Sequence, residues 1–130
     1  MKRLIAAVLI YVVTVQAALA CSCLFTPPAE RRQQSSLVFI GRVVAIREQG
    51  ESRWYDFEIT EVFKGPTAAK TVVKSSGDSA MCGASFKNGV IYLVYADGAT
   101  DQLSTNLCKG NREVASADAK AEIEVLRGQK

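Results

Sequence analysis

Four cysteines in a chain with no histidine are the residues best placed for distinctive chemistry: Cys21, Cys23, Cys82 and Cys108. Cys21-Ser22-Cys23 stands directly behind Ala18-Leu19-Ala20, a small-x-small sequence of the kind a signal peptidase cuts. Cleavage after Ala20 gives a chain that begins with a cysteine bearing a free α-amine. An amine held to the protein body through its own side chain is a rigid ligand.

The rest of the export signal is also present. Lys2 and Arg3 form a basic start, and Leu4 to Val15 an apolar run of 12 residues. A membrane span needs about 20, so residues 1–20 read as a cleaved signal peptide and the product as secreted or periplasmic. Dropping Lys2 and Arg3 from 16 basic residues leaves 14 against 13 acidic, a net charge of +1. Nothing in that balance asks for nucleic acid or an anionic membrane. Residues 21–130 suit one domain with a modest core, expected as a monomer.

An even cysteine count in an exported chain of this size reads as two disulfides. A bond within Cys21-Ser22-Cys23 would close a strained ring. The N-terminal pair therefore reaches to Cys82 and Cys108, in one order or the other. Each bond closes a loop long enough to contribute about 4 kcal/mol in the chain-entropy description.

Other chemistry is missing. A serine or cysteine nucleophile lacks the histidine that would usually activate it. Asp56, Glu58 and Glu61 fall at outward strand positions or a strand end, and Gly83 and Gly89 are isolated rather than part of a phosphate loop. No enzyme is expected, and no cofactor of the chain's own.

Strands and turns must position the cysteines. Leu37–Ile46 is a β-rich run, apolar on both faces except at Arg42, with Gly41 marking a bend or bulge. Trp54–Thr60 alternates, with Tyr55, Phe57 and Ile59 inward. Arg47–Ser52 reads as the hairpin loop between them. Lys64-Gly65-Pro66 ends the second strand region, and Thr71–Lys74, Val90–Ala96 and Gln102–Thr105 supply three more strands. Thr26 and Pro27 open a short helix reaching Gln34. Ser116 caps a helix from Ala117 to Arg127, with Ala119, Ile123 and Leu126 on one face and Gly128 as the stop. The whole is mainly β: a five-stranded barrel of the oligonucleotide/oligosaccharide-binding (OB) type, with a short N-terminal and a C-terminal helix. A sandwich is the competing arrangement.

The order of Cys21-Ser22-Cys23, Phe39-Ile40-Gly41-Arg42-Val43, Phe63-Lys64-Gly65, Cys82-Gly83 and Cys108 resembles a netrin-like domain. More narrowly, it resembles the N-terminal inhibitory domain of the tissue inhibitors of metalloproteinases. The resemblance spans roughly residues 21–110. It implies the pairing Cys21–Cys82 and Cys23–Cys108, and a five-stranded barrel. It also implies a function, inhibition of a zinc metalloprotease. The amine and carbonyl oxygen of Cys21 would chelate the partner's catalytic zinc, which keeps an open coordination position. Ser22 would probe the specificity pocket, and Cys23, Leu24, Ala80 and Met81 would form a supporting ridge. The chain departs from those inhibitors in lacking their third disulfide, their second domain and a long first hairpin loop.

Three other readings stand beside this one. The first takes the chain as a netrin-like binding or structural module whose cysteines only staple the barrel. Ala18-Leu19-Ala20-Cys21 loosely resembles a lipidation box, which would make the product a lipoprotein anchored at Cys21. The barrel face could take a saccharide. Trp54, at a strand start, reads as rim packing, and Met81 as either core cover or contact ridge.

Overall fold

A computed structural model describes residues 21–129; the signal-peptide reading of residues 1–20 lies outside them. In chain order the elements are α1 (Pro28–Gln34), β1 (Leu37–Gln49), β2 (Ser52–Lys64), β3 (Lys70–Ser76), a 3₁₀ turn (Ser79–Met81), β4 (Ile91–Ala96), β5 (Leu103–Ser104), β6 (Arg112–Glu113) and α2 (Ala117–Arg127). The protein is mainly β, and its sheet has the order β5-β3-β2-β1-β4-β6. The sheet curls into a half-barrel. β5 lies parallel to β3, and Ser104 also bridges Asp97 just beyond β4, through two 2.9 Å backbone bonds.

Among the described residues there are six strands where the sequence predicts five. Arg112–Glu113 pairs with Tyr92 and Leu93 at the edge of β4. Two charged residues carry no strand periodicity, so this pairing depends on tertiary context. β1 and β2 are also longer than predicted, and the expected loop Arg47–Ser52 shrinks to the turn Gly50-Glu51. Charged cross-strand pairs extend the ladder past the core. Arg47 reaches Asp56 at 2.7 Å and Arg53 reaches Glu48 at 2.8 Å.

β1 is buried on both faces over Leu37–Ile40 because successive side chains alternate between two cores. Leu37, Phe39 and Val43 point into the curl with Tyr55, Phe57, Val73, Phe86, Tyr92 and Val94. Val38 and Ile40 point outward under α2, with Phe63, Leu93, Tyr95, Ile123 and Leu126. Beyond the helix that outer cover ends, and Val44 is 41% exposed. Phe86 meets Tyr55, Phe57 and Tyr92 edge-on with centroids 4.8–5.4 Å apart, joining strands to the loop that carries it. The register of β1 against β2 shifts at Ile40/Gly41. A Cβ on Gly41 would lie 2.9 Å from the Glu58 carbonyl oxygen and 2.9 Å from the Phe39 ring, so the bulge requires glycine.

α2 begins as predicted: Ser116 Oγ accepts from the Ala119 N–H at 3.2 Å. Gly128 ends the helix with right-handed φ −69°, rather than the left-handed cap. α1 starts one residue later than predicted, and Thr26 does not cap it. Pro27 precedes another proline, which pushes it to ψ 151° and leaves Pro28 as the first helical residue. Among the described residues no helix is long and apolar enough to cross a membrane.

Candidate functional site

Of the two orders open to the N-terminal cysteines, the structure has Cys21–Cys82 and Cys23–Cys108, with Cα separations of 5.5 and 5.1 Å. Residues 21–27 carry no regular structure of their own, so these bridges fix their path over the barrel.

The receiving loop for Cys21 is built by β3 and the turn after it. Asp78 caps the 3₁₀ turn, its carboxylate accepting from the Ala80 N–H at 2.8 Å. The Asp78 carbonyl accepts from the N–H groups of Met81 and Gly83, both at 3.1 Å. Cys82 takes φ +59°, a left-handed conformation rare for a side-chain-bearing residue. Gly83 follows where a Cβ would lie 2.1 Å from the Ser76 carbonyl oxygen. The turn closes tightly enough to aim the Cys82 sulfur at Cys21, whose Sγ also lies 3.5 Å from the Ala80 carbonyl oxygen. Ser75 braces the base: its hydroxyl donates to the Thr105 carbonyl at 3.0 Å and accepts from the Ala84 N–H at 2.8 Å.

The two bridges tie the segment carrying Ser22, Cys23 and Leu24 to the loops that follow β3 and β5, the first of which carries Ala80 and Met81. Ser22, Cys23 and Ala80 are exposed. Leu24 is 91% exposed and Met81 67%, so Met81 does not cover the core. Two further apolar side chains that the sequence did not single out are exposed nearby in the chain: Phe25, 83% exposed and beside the groove between the two helices, and Leu107, next to Cys108 and 53% exposed. Their closeness in sequence to bridged cysteines, Phe25 two residues after Cys23 and Leu107 just before Cys108, was the available signal. With Cys21 bonded to Cys82, a lipid thioether at Cys21 and this bridge are mutually exclusive. Among the described residues no group of histidine, cysteine, aspartate and glutamate could hold a metal ion.

A buried ionic cluster fixes the helix that follows the ridge. Arg31 of α1 donates to Glu122 of α2 at 2.8 Å, with side chains only 9% and 5% exposed. The Tyr95 hydroxyl donates to the same carboxylate oxygen at 2.5 Å. Arg112 Nε approaches the other oxygen at 3.3 Å, not aligned as a hydrogen bond. Burial, then the neighbouring Glu122 carboxylate, raises the Tyr95 hydroxyl well above the ordinary phenol range and keeps it a donor. Sequence reasoning passed over Glu122, although it falls within the stripe Ala119, Ile123, Leu126.

The chain matches no protein-family model and no curated protein.

Proposed function

We propose that the mature protein is a secreted inhibitor of zinc metalloproteases, acting through the α-amine and carbonyl oxygen of Cys21 after removal of residues 1–20. The observation that carries this reading is the pair of bridges Cys21–Cys82 and Cys23–Cys108, which anchors the start of the chain beside an exposed apolar edge. The amine and carbonyl of one residue close a five-membered chelate on the partner's zinc, displacing its water. Tethering residue 21 beforehand lowers the entropy lost on binding. Ser22, small and exposed, enters a pocket without steric conflict, and Leu24, Ala80 and Met81 cover the rim. The protein supplies no metal and catalyses no reaction in this role.

The strand order β5-β3-β2-β1-β4, with β6 at its far edge and the single bridge Asp97–Ser104 joining β5 to the residue after β4, supports a five-stranded OB-type barrel and the netrin-like resemblance. The test is a one-alanine extension before Cys21 in protein whose amino terminus and two disulfides are verified by mass spectrometry. The unextended protein should inhibit members of a zinc-protease panel, and the extended form should not, at equal thermal stability. Equal inhibition by both forms excludes chelation. No inhibition by either leaves a stapled binding or structural module.

A further inference from the structure

Trp54 is the chain's one tryptophan, and it belongs to neither core. It lies half-buried on the outer face of β2, paired with Arg47 of β1 and Lys74 of β3. The Lys74 ammonium sits 5.4 Å from the centre of its ring. Rim packing does not account for the space beside it. An open groove of about 480 Å³ is walled by Trp54, Val72, Lys74, Asp101, Gln102 and Ser104. An adjoining cavity of about 240 Å³ shares Val72 and Asp101 and reaches Leu37 and Ile59. Among the described residues, the side chains of Asp101 and Gln102 make no hydrogen bond or ion pair.

We propose that this groove binds a neutral oligosaccharide. The electron-rich face of an indole attracts the polarised C–H groups of a pyranose ring. A carboxylate accepts hydrogen bonds on two oxygens, and a carboxamide both donates and accepts, which matches vicinal hydroxyls. Asp101 and Gln102 stand on the groove wall with that capacity unused. Lys74 and Asp101 oppose one another in the groove, and Lys70 on the adjoining cavity adds only one further cation, so neither a polyanion nor a polycation finds a line of opposite charge. Single-stranded nucleic acid would require a line of cations and successive stacking rings. The volume falls in the range of small-molecule sites, roughly 300–1,000 Å³. The site needs neither the Cys21 amine nor the ridge, so it stands whether or not the protein inhibits proteases.

Trp54 is the sole tryptophan, so indole fluorescence reports on this site alone. The mature, two-disulfide protein is titrated with cellohexaose, chitohexaose and maltohexaose, with calorimetry for the variants. A saturable response to at least one sugar is expected. It should weaken about tenfold or more in Trp54→Ala, the effect of losing one stacking ring, and also weaken in Asp101→Ala. Circular dichroism should be unchanged in both variants, and a one-alanine extension before Cys21 should leave sugar binding intact. No saturable response to any of the sugars, or equal affinity in Trp54→Ala, overturns the proposal. So does loss of protease inhibition in Trp54→Ala without sugar binding, which would give the groove to a protein partner.

Discussion

The Leu107 N–H donates to the Cys82 carbonyl oxygen across 2.8 Å. Leu107 precedes Cys108, so the loops that receive Cys21 and Cys23 are bonded to each other as well as to the N-terminal segment. The segment carrying Cys21 and Cys23 is attached to a single brace rather than to two independent loops. This arrangement makes the bridges a property of the whole fold as much as of the ridge.

Replacing Cys23 and Cys108 together by serine opens a link across 85 residues. The chain-entropy description gives a loss of roughly 4 kcal/mol, a large share of the 5–15 kcal/mol usual for a domain. Equilibrium urea unfolding should show the midpoint falling sharply while the native circular dichroism persists without denaturant. An unchanged midpoint would mean the Leu107–Cys82 bond and the sheet already impose the constraint.

Glu122 is the second point at which the fold is concentrated. It accepts from Arg31 and from Tyr95, and its side chain is 5% exposed. Glu122→Ala leaves the Arg31 guanidinium buried without its partner, a loss of about 3–5 kcal/mol. Glu122→Gln retains an acceptor for Tyr95 and should cost less. The order of the two variants in urea unfolding checks the claim. Equal destabilisation by both would assign the whole cost to the lost carboxylate charge, since Glu122→Gln keeps the side chain's shape, and would leave nothing for the Tyr95 acceptor or packing.

High pH probes the same cluster. Burial raises the Tyr95 hydroxyl, with Glu122 adding to it, and burial also raises Tyr92, whose oxygen accepts from the Lys87 N–H at 2.8 Å. A folded pKa above the unfolded value of about 10 means the stabilising contribution is complete below that pH and is lost above it. Unfolding free energy should therefore decline above pH about 10, by up to about 1.4 kcal/mol per pH unit for each such tyrosine. Tyr95→Phe should be less stable at neutral pH yet show a shallower alkaline decline. Tyrosinate absorbance alongside urea unfolding checks this, and an unchanged slope in Tyr95→Phe would count against it.

Much of this architecture is legible in the chain because it is encoded by local pattern. Alternation in Trp54–Thr60 marks β2, and the stripe of Ala119, Ile123 and Leu126 behind Ser116 marks α2. The outer ends of the first hairpin were not legible, since Glu48, Arg53 and Arg47 carry charge rather than apolar period. β6 was hidden for the same reason. It is held in part by neighbouring Asn111, whose side-chain oxygen accepts from the Tyr95 N–H at 2.8 Å. At the ridge, the positions of the cysteines were plain, but the exposure of Phe25 and Leu107 was not. Solvent exposure of an apolar residue in a loop depends on what packs over it, and sequence pattern does not state that.

Gly83 and Met81 separate the scaffold of the ridge from its contact surface. A methyl group at Gly83 would meet the Ser76 carbonyl oxygen at 2.1 Å, a backbone atom that cannot swing aside. Gly83→Ala must therefore open the turn that holds Cys82 at φ +59°, with an overpacking cost of about 1–3 kcal/mol. Met81 is 67% exposed, so Met81→Ala should change stability by no more than about 0.5 kcal/mol. If the ridge contacts a protease, both variants weaken inhibition, but only Gly83→Ala lowers the unfolding midpoint. Thermal unfolding measured beside inhibition distinguishes them. A Met81→Ala variant that loses stability yet keeps its inhibition would make Met81 a packing residue and remove it from the contact surface.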